Sequence, residues 1–141
     1  MILASTALAL TAIGCSLLDA SDDKKKIDAG AYVDHYQGLV ERAVICTVCV
    51  VLFCAVLTFN GYPILIAAPT TICWASIYAI TFRLRLNTLR GLEPTYVSLS
   101  NVYDSIFIRL FGHRAGIAAY TFEAIALAAS TAIGAIIYYR A

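Results

Sequence analysis

Charge is missing from the middle of this chain: residues 43–82 carry no acidic or basic side chain. Over all 141 residues the charged share is 13%, about half of what a globular domain uses, and hydrophobic residues make up 61%. So few charges cannot cover a water-exposed surface, which takes the chain out of the soluble class. Histidine is scarce too. His35 and His113 are the only two, each near the end of an expected membrane helix, where they read as interfacial side chains and do not clamp a haem at mid-membrane. A second cysteine pair is also lacking. Cys46-Thr47-Val48-Cys49 has the CxxC spacing, but no histidine follows Cys49 to attach haem and no partner pair completes a zinc or iron–sulfur site. Cys15, Cys46, Cys49, Cys54 and Cys73 all fall in apolar segments and read as small buried hydrophobes. No catalytic motif accompanies them, so neither enzymatic activity nor a metal or cofactor is expected. The formal net charge of +1 implies no nucleic-acid partner.

What the chain does have is long apolar runs. The uncharged stretch breaks at Asn60-Gly61-Tyr62-Pro63 into residues 43–59 and 64–82, seventeen and nineteen residues long. At about 1.5 Å per residue each matches the thickness of a bilayer's hydrocarbon core, and together they predict a transmembrane helical hairpin over residues 43–82. Pro69 is expected to kink the second of these helices, with Thr70 and Thr71 available to satisfy freed backbone groups. Residues 115–139 form a further span between Arg114 and Arg140, with Tyr138 and Tyr139 where interfacial aromatics belong. Residues 1–18 are apolar but rich in Ala, Ser and Thr; they form either a short span or a helix held against other protein. Ala12-Ile13-Gly14-Cys15 faintly resembles a lipoprotein cleavage box, yet no positive n-region precedes it, so an uncleaved helix is expected.

The class that follows is all-α, a polytopic integral membrane protein of three to four transmembrane helices plus one amphipathic surface helix. Lys24, Lys25, Lys26 and Arg42 lie before the hairpin and Arg83, Arg85, Arg90, Arg109 and Arg114 after it, while its turn has no cation. The positive-inside rule therefore puts both connectors, residues 19–42 and 83–114, on the cytoplasmic or equivalent side, with Arg140 opposite. Residues 19–28 read as a polar linker and 32–41 as the lead-in to the first hairpin helix. In the second connector Pro94 ends the preceding helix. Leu99, Val102, Tyr103, Ile106, Phe107, Leu110 and Phe111 then recur at three- and four-residue spacing over residues 99–111. Asn101 with Asp104 can cap this amphipathic helix, and Gly112 can turn the chain into the last span.

Glu123 is the one ionisable side chain inside an expected span. Nine residues past Arg114, it falls about 13 Å along the helix and close to mid-membrane. A carboxylate there must be neutral, paired, or turned to protein or water; Tyr78, Thr81 and Ser76 are candidate partners. The same helix is dense in small residues. Gly116, Ala119, Ala124, Ala128, Ser130, Ala132, Gly134 and Ala135 fall on more than one face, which suits close packing against more than one neighbour. Trp74 and Tyr78, one helical turn apart, are expected to pack against another helix or line a pigment or quinone pocket.

Two functions are consistent with these residues. The first is a non-catalytic accessory subunit of a multi-subunit membrane complex, partnered by other membrane subunits and by lipids. Its expected home is a bioenergetic membrane, the mitochondrial inner membrane ahead of the thylakoid, bacterial inner or viral membrane. The second is a small homo-oligomeric proton or ion channel with Glu123 facing a shared axis. The missing catalytic set, the small-residue helix with more than one packing face and the surface helix at Leu99–Phe111 favour the first, and the absence of inverted broken-helix repeats argues against a transporter.

Overall fold

The computed structural model describes residues 2–62, 64–98 and 101–140. They form five α-helices: α1 (Ile2–Asp28), α2 (His35–Phe59), α3 (Ala67–Leu89), α4 (Val102–Phe111) and α5 (Ala115–Arg140). Short 3-10 turns at Ile64–Ile66 and Gly112–Arg114 lead into α3 and α5, and no strand occurs among the described residues. Among the described residues three stretches are long and apolar enough to cross a membrane: Val40–Phe59, Ile64–Leu89 and Tyr103–Arg140. An all-helical chain of this kind is compatible with an integral membrane protein.

The helices stop where the sequence supplies glycine. After α2, Gly61 turns at φ +85°, letting Gly61 N–H reach the Thr58 carbonyl and Tyr62 N–H the Leu57 carbonyl. Gly91 at φ +66° does the same after α3, with bonds to Thr88 and Asn87. Both are left-handed caps that satisfy carbonyls the helix leaves open. α4 begins as its capping residue predicts, with the Asn101 side chain accepting from Tyr103 N–H at 2.9 Å.

Residues 19–28 are not a linker. They continue α1, because Lys24 pairs with Asp28 and Lys26 with Asp22 one turn apart, Ala20 is buried, and Asp23 is held by Arg42. α2 starts only at His35, where Asp34 accepts from Gln37 N–H at 3.0 Å. Pro69 does not kink α3. It lies in the first turn, after Ile66 as the N-cap residue, where a missing N–H costs no intrahelical bond.

The sequence hairpin exists as a connection, but its two helices are not the main packing pair. α3 is the hub, packed most extensively on α1, then on α5, and less on α2. Thr11 accepts from Trp74 Nε1 at 3.2 Å and Asp19 accepts from the Tyr78 hydroxyl, so α1 runs parallel to α3. α2 and α5 run antiparallel to it: Arg42 lies over Phe82, while Tyr138 stacks on Tyr62 and Gly134 lies against Pro69. Where α2 and α3 diverge near their turn, a groove of about 420 Å³ opens among Val50, Val51, Cys54, Ala55, Thr58, Phe59, Ile64 and Ala67. The main core gathers Ala12, Cys46, Val50, Cys54, Leu57, Ile66, Trp74 and Tyr78 from α1, α2 and the start and middle of α3. The end holding the 60–62 turn is termed the turn end below, and the one holding Arg42 and Arg83 the basic end.

Candidate functional site

The buried polar chemistry lies at the basic end, in two clusters on opposite flanks of α3. In the first, Asp19 of α1 accepts from the Tyr78 hydroxyl and from Arg42 Nε (3.2 Å), and Asp23 accepts from Arg42 Nη2 (3.3 Å). The Arg42 guanidinium lies 4.5 Å from the Phe82 ring centroid and 5.8 Å from that of Tyr78. Three helices thus close on one cation whose charge is matched by carboxylates and whose flat face is covered by aromatic rings.

The second cluster joins α3, α4 and α5. Arg83 Nη2 donates to Asp104 Oδ1 at 3.0 Å, and Ser98 N–H donates to the other oxygen, Oδ2, at 3.0 Å. The two side chains are only 9% and 11% exposed. Arg83 Nη1 has no hydrogen-bond partner; the guanidinium instead lies near the Tyr120 ring (5.2 Å) and the Tyr103 ring (5.8 Å). Tyr103 donates its hydroxyl to Glu123, which is 7% exposed. The connector is pinned alongside: Asn87 donates to the Pro94 and Tyr96 carbonyls (3.0 and 2.9 Å) and the Tyr120 hydroxyl to the Pro94 carbonyl (2.9 Å). The Thr95 backbone presses so closely on Gly116 that a Cβ there would sit 1.7 Å from the Thr95 carbonyl oxygen.

This geometry corrects the expected surroundings of Glu123. Its partner is Tyr103, not Tyr78, Thr81 or Ser76, because Gly112, at φ +54°, folds α4 back along the first turns of α5. Nor does Glu123 sit apart at mid-span: it shares the level of Arg83 and Asp104, next to the ends of the other apolar runs. Counted from that level to the turn end, the uncharged runs are 2–18, 43–59, 64–82 and 124–139, or 17, 17, 19 and 16 residues. At about 1.5 Å each they measure roughly 24–29 Å, close to a hydrocarbon core. The charges form a belt at one boundary of an apolar slab.

The other singled-out residues divide. In α4, Tyr103 and Phe107 turn inward, Phe107 packing with Ala115 and Ala119, while Ile106 and Leu110 are exposed. Leu99 and the side chain of Val102 lie outside the described residues. In α5, Ala119, Glu123 and Ser130 are buried against the chain and Gly134 is half-buried, whereas Ala124, Ala128 and Ala132 face outward. Trp74 and Tyr78 pack on α1 through hydrogen bonds to Thr11 and Asp19. His113 is exposed, the five cysteines are free thiols, and among the described residues no His/Cys/Asp/Glu group is placed to hold a metal.

The Asp19–Arg42–Tyr78 and Arg83–Asp104 contacts are absent from the sequence reading. Their signal was present in part: Asp19 closes one apolar run, Arg42 opens the next, and Arg83 follows the third. Chemically, both clusters spend their polar groups on one another, Arg83 Nη1 excepted. They hold five helices in register. No known protein family, curated protein or solved structure matches this chain.

Proposed function

We propose that this chain is a non-catalytic accessory subunit of a multi-subunit membrane complex, acting in assembly and helix–helix scaffolding. The observation that carries the reading is the division of α5 into two faces. Ala119, Glu123 and Ser130 are buried against the chain, while the evenly spaced Ala124, Ala128 and Ala132 look outward. Lipid is as apolar as leucine, so a line of alanines contributes to association only when another helix backbone comes close. The satisfied state of Glu123 also weighs for scaffolding over conduction, since the carboxylate is buried in its own chain and bonded to Tyr103. Within this reading a respiratory-type membrane, the mitochondrial inner membrane first, is the proposed home.

A photo-crosslinking residue in place of Ala128, activated in native membranes, tests the reading. Adducts to different membrane subunits are expected. An adduct only to a second copy of the chain would favour the homo-oligomer, and adducts to lipid alone would remove the interface.

A further inference from the structure

We propose that the outward flank of α4, with the arginines around it, binds the anionic phospholipids of the membrane surface at the basic end. This rests on the chain crossing a membrane and not on its membership of a complex.

The first support is a charge imbalance. Along residues 83–123 five arginines (Arg83, Arg85, Arg90, Arg109, Arg114) stand against three carboxylates (Glu93, Asp104, Glu123), with Arg85, seven residues past Tyr78, on the α1 side of α3. Two of those carboxylates are spent inside the fold, Asp104 on Arg83 and Ser98 N–H, and Glu123 on Tyr103. Arg90 lies over the Tyr96 ring at 5.6 Å. Arg85, Arg109 and Arg114 are exposed and form no salt bridge among the described residues, with the exposed Glu93 as the one carboxylate not turned inward. Unbalanced guanidinium charge beside a membrane attracts anionic headgroups, and its weight grows with each residue near the surface.

The second support is where α4 keeps its apolar side chains. Tyr103 and Phe107 pack onto α5, yet Ile106 and Leu110 remain 50% and 70% exposed. Arg109 follows Ile106 by three residues, so the two lie about 60° apart around the helix. One flank therefore offers apolar side chains and a guanidinium side by side.

The third support is level. From Gly112, α4 runs back along α5 until Tyr103 meets Glu123 at the charged belt, so its exposed flank begins where the apolar slab ends. From there it steps away from the slab, Ile106 about 5 Å and Arg109 about 9 Å past Tyr103, so it crosses the headgroup zone, about 5–8 Å deep on each side, and the long arginine side chains beyond reach back into that zone. Lipid suits this flank better than an acidic protein segment, because its charge is spread over α3, α4 and the 3-10 turn and is not gathered into a pocket.

The full chain reconstituted in phosphatidylcholine bilayers, with trace spin-labelled phosphatidylglycerol or phosphatidylcholine, reads this directly as the fraction of each lipid held immobile at the protein. A preference for phosphatidylglycerol is expected, falling by about two- to fivefold for each of Arg109→Gln and Arg114→Gln, and unchanged by Arg140→Gln at the far end. On the unaltered chain, raising NaCl from about 0.05 M to about 0.5 M should also abolish it, so the test survives a variant that folds poorly. Equal affinity for both lipids, or a preference that persists in the double variant or at high salt, would overturn the proposal and leave an acidic protein segment as the occupant. Release of the chain from membranes by alkaline carbonate would instead overturn the membrane reading itself, and this proposal with it.

Discussion

Asp104→Asn should be among the most damaging single-atom changes in this protein. Asp104 uses both oxygens, one for Arg83 Nη2 and one for Ser98 N–H, each at 3.0 Å. Asparagine has one acceptor oxygen, so one of these donors is left facing an N–H₂ group. The Arg83 side chain, only 9% exposed, also loses its countercharge while its Nη1 already lacks a partner. Removing one member of a buried pair costs about 3–5 kcal/mol. Stacking on Tyr120 and Tyr103 still supports the guanidinium, so the lower end, about 3 kcal/mol, is expected. Adding Arg83→Met removes the stranded cation and should recover part of that loss, giving a favourable coupling of at least about 1 kcal/mol in a double-mutant cycle. Unfolding in mixed micelles, followed by the fluorescence of Trp74, the single tryptophan, provides the assay. A cost below about 1 kcal/mol for Asp104→Asn, or a double variant whose cost is the sum of the singles, would refute the account of this pair.

Gly116→Ala should detach residues 94–96 from α5 by driving a methyl into the Thr95 carbonyl, at about 1–3 kcal/mol; faster proteolysis within residues 90–98 would report it. Tyr103→Phe should cost about 1–3 kcal/mol by stripping the buried Glu123 of its donor, while Glu123→Gln, which keeps an acceptor, should cost less than about 1 kcal/mol in the same assay. If Gln proves as harmful as Phe, the bond is not what Glu123 supplies. Ser130→Leu should destabilise the isolated chain because Ser130 is buried, whereas Ala128→Leu should spare the chain and weaken assembly; thermal unfolding and co-purification separate the two. Protease or thiol accessibility in sealed vesicles should place Lys24–Lys26 and Arg85–Arg90 on one side and Arg140 on the other, and finding all three together would break the crossing order.

The helices were legible because their signals are local. Uncharged runs of bilayer length, the break at Asn60-Gly61, Asn101 as a cap and Gly112 as a turn can each be read within a few residues. α1 was cut short at residue 18 because Asp19 to Asp28 look like a solvated linker. Only the approach of Arg42, 23 residues past Asp19, makes a polar stretch worth burying. Pro69 misled for the opposite reason: its effect depends on its place in the turn, and the start of α3 at Ala67 turned a kink into a first-turn residue. The partner of Glu123 was hidden because the reading placed the carboxylate on a ladder of depth along α5 alone. Once α4 folds back, Tyr103 meets it from a segment read as a surface helix. Small residues showed that α5 packs closely, but which face meets its own chain depends on α3, and periodicity does not say where α3 lies.

The proposed role of the chain is as part of a larger membrane assembly. Membranes solubilised in a mild detergent, resolved on a native gel and cut across the whole lane for mass spectrometry, test it most directly. The chain is expected to peak together with several other membrane subunits in a fixed ratio, at a mass far above any small multiple of its own 15.2 kDa. A peak holding only copies of this chain would contradict it.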